Sequence, residues 1–183
     1  RPWQIYDLHG VLNEKKKNLI FSEKEKIEGI KFLEKNGVAI DNYIGLILRS
    51  PKYYFENKIS PVEKKNLRDS DLKNFPLALE HLSKKNYKIL NFGHKDTSQK
   101  IDNLIMYNNS DEKNDFNDIF LPYHCSFIIS SGLGLDNITL LNRRKRYLVN
   151  FSQIFAFWII DGDVELMIPK KFKNLDTEKL IPF

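Results

Sequence analysis

Apolar residues along this chain follow two spacings, one typical of helices and one typical of buried strands. Helically spaced apolar positions follow the capping-box sequence Ser22–Glu25 and end before Gly37, which predicts a helix with both ends marked. A continuous apolar run at 43–48 instead predicts a strand that is buried on both faces of a sheet. Arg49 stands at the carboxyl end of this predicted strand.

The rest of the chain repeats the alternation of strands and helices. Further strands are predicted at 87–92, 104–107, 125–129 and 147–150, and helices from about 71, at 116–123 and from about 136 to 142. Strands that alternate with helices predict an α/β fold with a parallel, doubly wound sheet flanked by helices. The fold class expected from the pattern is therefore Rossmann-like.

We expect two parts in the chain: a linker and helix at 1–40 that packs on the rest, and an α/β domain at 41–183. The polar, proline-containing segment 50–70 is predicted as a long loop, and loops of that length tend to be functional. Because the sequence begins with Arg1 rather than Met, we expect it to be a fragment of a longer chain.

Charge and cysteine usage narrow the class of protein. The 29 basic and 24 acidic residues are interspersed, which is typical of a solvated surface and predicts no nucleic-acid partner. The single cysteine, Cys125, excludes an internal disulfide and favours a soluble cytoplasmic protein. The basic run at 143–146 is predicted as a solvated helix end, with contact to an anionic membrane as the alternative.

Ligands of parallel sheets bind beyond the carboxyl ends of the strands, and this rule selects the candidate site residues. They are Arg49, Asn91–Gly93, Ser130–Gly134 and Asn150. The Ser-Gly turn before a helix start predicts N–H groups that face a phosphate, although ordinary turn glycines would give the same pattern.

Arg49 is well placed to clamp a diphosphate with its planar guanidinium, and a salt bridge to Asp69 or Asp71 is the alternative. Asp71 is also the expected cap of the following helix, whereas the role of Arg68 stays open.

Asp7, the histidines and Cys125 are further residues of types that can carry chemistry. Asp7 and the residues after it resemble the nucleophile motif of haloacid-dehalogenase-like phosphatases, but His9 stands where those enzymes have a second carboxylate. The four histidines show no metal-ligand spacing, so no metal site is expected. His124 and Cys125 are predicted at adjacent strand positions that face opposite ways, which excludes a nucleophile and base pair.

Several short motifs occur in a fixed order from about residue 5 to near the end of the chain. They are Phe21–Glu25, Phe32–Leu33, Asn36–Val38, Leu48–Arg49, Arg68–Leu72, Ile89–Gly93, Phe116–Leu121, Cys125, Phe127, Ser131–Gly132, Asn150 and Ile168–Lys171. In this order and spacing they resemble a family of bacterial glycosyltransferases that make surface polysaccharides. The resemblance implies the C-terminal, nucleotide-sugar-binding half of an enzyme with two Rossmann-like domains, distantly similar to fucosyltransferases.

Roles for particular residues follow from that resemblance. It implies that Arg49 and Arg68 are catalytic, because they would neutralise the departing nucleoside diphosphate. It implies that the remaining candidates bind the donor: Gly93, Asp118, Ser131, Gly132 and Asn150. Asp118 would bond a ribose or base, and a carboxylate on a helix surface is the alternative. The implied partners are a nucleotide-sugar donor, a glycan or lipid-linked acceptor and peripheral contact with the inner membrane, with no other cofactor.

The chain departs from the family pattern at three positions. Ile47 and Ser50 replace the histidine and aspartate that usually flank the strand arginine, and Asn91 replaces an arginine on the second strand. The usual candidates for activating an acceptor hydroxyl are therefore missing. A noncatalytic nucleotide-binding or scaffold domain in polysaccharide assembly is accordingly the alternative function.

Overall fold

The computed structural model describes residues 19–50, 69–93, 101–152 and 164–181. The helices in these ranges are α1 (Glu23–Lys35), α2 (Pro76–Lys84), α3 (Asp115–His124) and α4 (Asn137–Leu141). The strands are β1 (Tyr43–Ile47), β2 (Lys88–Asn91), β3 (Leu104–Ile105), β4 (Phe127–Ser130), β5 (Lys145–Phe151), β6 (Val164–Pro169), β7 (Phe172–Lys173) and β8 (Leu180–Ile181). Short 3₁₀ turns lie at Leu72–Asn74, Tyr107–Asn109 and Gly134–Asp136.

Strands β1 to β6 form one sheet in which every neighbouring pair is parallel. Their order is β3-β2-β1-β4-β5-β6, which is the Rossmann order, and β7 and β8 form a separate antiparallel hairpin. The predicted α/β class with a parallel sheet is therefore confirmed. The chain moves outward in one direction from β1 and in the other from β4, so the topological switch point lies between these two strands.

Helices cover both faces of the sheet because alternate residues of β1 point to opposite sides. Tyr43 and Ile47 pack in a buried cluster with α1 and α3, which contributes residues such as Phe120. Leu46 packs on the other side, in a cluster that includes Leu79 of α2. The strand is buried on both faces, as the unbroken apolar run predicted.

The predicted ends of α1 are confirmed. The Glu25 carboxylate accepts a hydrogen bond from the Ser22 main-chain N–H at 2.7 Å, and the Ser22 side chain accepts from the Glu25 N–H at 3.4 Å. Gly37, which follows the helix, has a φ of 62°. The two Ser22–Glu25 hydrogen bonds supply acceptors for N–H groups that the start of a helix leaves without intrahelical partners.

The basic run at 143–146 differs from its prediction as a solvated helix end. Lys145 is exposed, but Arg146 is 0% exposed and Arg144 pairs with Asp41, so the run is not a charged surface patch. The reason is that β5 begins at Lys145, and successive side chains of a strand face opposite sides of the sheet.

Other differences concern single elements. His124 ends α3 rather than lying in a strand, and burial raises the pKa of the Cys125 thiol to about 12. The thiol is therefore unsuited to nucleophilic attack near neutral pH.

Strands β6, β7 and β8 were not predicted from the sequence. None of the helices among the described residues combines the length and apolar character that a membrane span requires.

Candidate functional site

Arg49 and Ser131 meet at the switch point of the sheet, although 82 residues separate them in the sequence. The Ser131 N–H donates to the Ile47 carbonyl at 3.0 Å, which extends the pairing of β1 and β4. The Arg49 N–H in turn donates to Ser131 Oγ at 3.1 Å. The two predicted site residues therefore lie side by side where a Rossmann sheet offers its ligand crevice.

The chain returns to Arg49 at Asp69 and Ser70. The Ser70 N–H donates to the Arg49 carbonyl at 3.0 Å, and Arg49 Nε lies 3.4 Å from Asp69 Oδ1. The two charged side chains are only 4% and 13% exposed, so water screens their attraction weakly. The structure thus contains the Arg49–Asp69 ion pair that stood as one alternative, while Asp71 caps the 3₁₀ turn by accepting from the Lys73 N–H at 3.0 Å.

The ends of β5 and β6 reach the same segment. Asn150 Nδ2 donates to Ser70 Oγ at 2.8 Å, and Asn150 itself has a left-handed φ of 56°. The Lys170 N–H donates to the Phe151 carbonyl at 2.8 Å, while Lys170 Nζ donates to the Asp69 carbonyl. Asparagine tolerates left-handed backbone better than most residues, and here this conformation ends the strand while the side chain reaches Ser70.

We call this set of contacting residues the carboxyl-edge cluster. Its members are Arg49, Asp69, Ser70, Ser131, Asn150 and Lys170. Burial lowers the pKa of Lys170, and the nearby charge of Asp69 acts in the opposite direction. Sequence reasoning did not assign Lys170 a role. The sequence does contain a signal for such a role, since Lys170 directly follows the apolar pair Ile168-Pro169 at what proves to be a strand end. That strand was not predicted, so the signal was missed.

The Ser-Gly turn after β4 is held by a buried carboxylate. Asp136 Oδ2 accepts from Ser130 Oγ at 2.7 Å and from the Leu133 N–H at 3.1 Å. The Gly132 N–H donates to Ser130 Oγ at 3.0 Å, and Gly132 adopts a φ of 83°, a conformation that glycine adopts without strain. The N–H groups of Ser131, Gly132 and Leu133 therefore donate inside the protein, contrary to the expectation that this turn presents them to a phosphate. What the turn does provide is a fixed position for Ser131 beside Arg49.

Replacing Asp136 with alanine is expected to lower the free energy of unfolding by about 2–3 kcal/mol, because the buried Ser130 hydroxyl and the Leu133 N–H would lose their acceptor. Urea denaturation measures this change. Asp111→Ala, at an exposed turn position, removes the same kind of side chain and is the control. Equal stability of the two variants would contradict a structural role for the Asp136 carboxylate.

Gly93 lies against the end of β1. A Cβ atom at this position would fall 1.8 Å from the Leu48 carbonyl oxygen, so only glycine fits without moving the main chain. Its N–H donates to Asn91 Oδ1 at 3.2 Å, and Asn91 Nδ2 lies 3.3 Å from the Met106 sulfur. The structure thus gives Gly93 a packing role directly before Arg49, while its role in binding stays a prediction.

Asp118 belongs to a different group of contacts, at the first turn of α3. It accepts from the Tyr107 hydroxyl at 2.8 Å and from Lys113 Nζ at 2.6 Å. Burial, with Asp118 as hydrogen-bond partner, raises the pKa of Tyr107 well above its usual value. These contacts tie α3 to the 3₁₀ turn after β3 and do not include the carboxyl-edge cluster.

Two candidates lie outside the described residues, namely Arg68 and the Asp7 motif. Within the described ranges, no group of histidine, cysteine, aspartate and glutamate side chains is arranged to hold a metal ion.

The fold and the position of the cluster define a class: this chain is an α/β protein with a Rossmann-like sheet and a polar, charged cluster at its switch point. Comparison with known proteins adds no family to this class. A scan against family models found no match, and searches of curated proteins and of solved structures found none either.

Proposed function

We propose that this chain binds a nucleotide-sugar at the carboxyl-edge cluster and transfers the sugar to a glycan or lipid-linked acceptor. The observation that carries the proposal is the position of Arg49, a nearly buried guanidinium at the switch point of a Rossmann-ordered sheet. Nucleotides bind at this place in doubly wound sheets. A lipid-linked acceptor would bring the chain into peripheral contact with the inner membrane from the cytoplasmic side.

The chemistry of the proposed reaction suits positive groups more than a nucleophile. Negative charge develops on the diphosphate as the sugar departs, and Arg49 would stabilise that charge through two parallel hydrogen bonds. Ser131 fixes the Arg49 main chain and so orients the guanidinium. By resemblance, Arg68 would supply a second positive charge, and Gly93, Ser131, Gly132 and Asn150 would contribute to donor binding. The resemblance implies the same of Asp118, whose contacts with Tyr107 and Lys113 lie outside the carboxyl-edge cluster.

A noncatalytic nucleotide-binding or scaffold domain is the second candidate. The observation that favours it is the burial of the three residues that depart from the family pattern: Ile47 and Asn91 are 0% exposed and Ser50 is 9% exposed. None of the three side chains is a base that could accept a proton from an acceptor hydroxyl at neutral pH.

A panel of nucleotide-sugars separates the two candidates. At a concentration of about 100 times its dissociation constant, a true donor should raise the melting temperature of the purified chain by about 5–10 °C. Hydrolysis of, or transfer from, the stabilising donor would exclude the noncatalytic candidate. Stabilisation without any turnover by the full-length protein would favour it, and no stabilisation by any member of the panel would contradict nucleotide-sugar binding.

A further inference from the structure

Lys170 reaches the candidate site from the β6 edge of the sheet. It follows β6 directly, and its N–H donates to the Phe151 carbonyl at 2.8 Å, which places it beside the end of β5. From there its side chain extends to the Asp69 carbonyl, 101 residues away in the sequence. The end of the outermost described strand is thereby connected to the segment that contacts Arg49.

Asp69 lies between two positive groups. Its carboxylate faces Arg49 Nε at 3.4 Å, and its carbonyl accepts from Lys170 Nζ. Both positive groups therefore contact the same residue, one at its carboxylate and the other at its carbonyl. A ligand that carries two linked negative groups offers an acceptor to each of these positive groups, whereas a ligand that carries one does not.

The ammonium group of Lys170 keeps donors for a ligand. An ammonium has three N–H donors. In the described part of the chain, the hydrogen bond that Lys170 Nζ makes is the one to Asp69, which uses one of them. Lys170 is half-buried, and burial lowers its pKa while the charge of Asp69 raises it. A bound anion would act in the same direction as Asp69.

We propose that Lys170 is a second diphosphate-binding residue, which acts with Arg49 on the two phosphate groups of a nucleoside diphosphate. The inference rests on the proposed function and deepens it. Asp69 serves as the internal counter-ion: a diphosphate that binds Arg49 displaces the Asp69 carboxylate from it, and Lys170 keeps the Asp69 main chain in place during the exchange.

Lys170→Gln is the variant that tests this role, because glutamine removes the charge and keeps an N–H donor for the Asp69 carbonyl. Calorimetric titrations use uridine, guanosine and cytidine diphosphates and the matching monophosphates. Diphosphate affinity is expected to fall at least tenfold and monophosphate affinity less than threefold. Lys171→Gln, the same change at the exposed neighbouring lysine, should alter either affinity less than twofold. Lys170→Arg should restore most of the diphosphate affinity.

The outcomes distinguish this inference from the proposed function. Unchanged diphosphate affinity in Lys170→Gln, beside tight binding by the unmodified chain, would overturn the role of Lys170 and leave nucleotide binding intact. Equal losses for mono- and diphosphates would also overturn it, since they would show that Lys170 only supports the Asp69 segment. Failure of the unmodified chain to bind any of the six nucleotides would overturn both proposals.

Discussion

Replacing Arg49 with alanine is expected to lower the proposed binding of nucleoside diphosphates by about a hundredfold or more in affinity, since truncating a buried, hydrogen-bonded charge at a binding site costs about 2–5 kcal/mol. Isothermal calorimetry measures the loss directly. The main-chain hydrogen bonds of Arg49 to Ser131 and Ser70 should remain, but Asp69 loses its ion-pair partner, so circular dichroism must first show that the variant is folded.

Arg144→Ala is the matched control for this experiment. Arg144 also pairs with an aspartate, Asp41, but both residues lie at the amino edge of the sheet, before β5 and β1. Its loss should leave diphosphate affinity unchanged. Arg49→Lys keeps the charge but loses the planar pair of donors. Its diphosphate affinity should therefore lie between those of Arg49→Ala and Arg144→Ala. If Arg49→Ala bound diphosphates as tightly as the unmodified chain, Arg49 would not be a diphosphate-binding residue.

Replacing Gly93 with alanine is expected to destabilise the protein by about 3 kcal/mol or more, because the added methyl group would collide with a main-chain oxygen and not with a flexible side chain. The predicted Cβ position lies 1.8 Å from the Leu48 carbonyl oxygen. Relief of this clash requires the ends of β1 and β2 to separate. Since Leu48 precedes Arg49, the same movement would also weaken the proposed nucleotide binding in the molecules that remain folded.

Gly134→Ala provides the comparison for Gly93. A Cβ atom at Gly134 would meet nothing within 4 Å, so its effect on the free energy of unfolding should stay within about 0.5 kcal/mol. Chemical denaturation of both variants, followed by circular dichroism, gives the two values. Similar stability of the two variants would show that Gly93 is not packed on the β1 main chain.

The elements predicted well from the sequence are those whose signals are local. The capping box at Ser22 and the glycine stop at Gly37 mark α1 within a few residues of the chain, and both signals act through neighbouring main-chain groups. The apolar run of β1 was equally clear because a strand covered on both faces needs no polar positions. By contrast, β6 carries exposed Leu166 and Ile168 beside residues of mixed character, so its sequence gives a weaker signal.

The candidate site was predicted in part. The rule that ligands bind at strand carboxyl ends selected Arg49, Ser131 and Asn150, and the structure brings all three into the carboxyl-edge cluster. The same rule did not select Lys170, because it applies only to strands that the sequence indicates, and β6, which Lys170 follows, was not predicted. The prediction for the turn donors was wrong although their acceptors are close in the sequence, because the sequence does not show that the side chains of Ser130 and Asp136 point toward the N–H groups of Gly132 and Leu133.

The sequence by itself determined the parallel α/β class, the ends of α1 and the strand ends at which polar residues occur, because these depend on periodicity and on contacts between neighbouring residues. The tertiary structure alone decided which strand ends are neighbours, and so which charges meet. Arg49 and Lys170 both meet Asp69, although β4 and β5 lie between β1 and β6 in the sheet, because the segment Asp69–Ser70 contacts the ends of β1, β5 and β6. The burial of Arg146 is likewise a consequence of register in β5, which a run of four basic residues does not reveal.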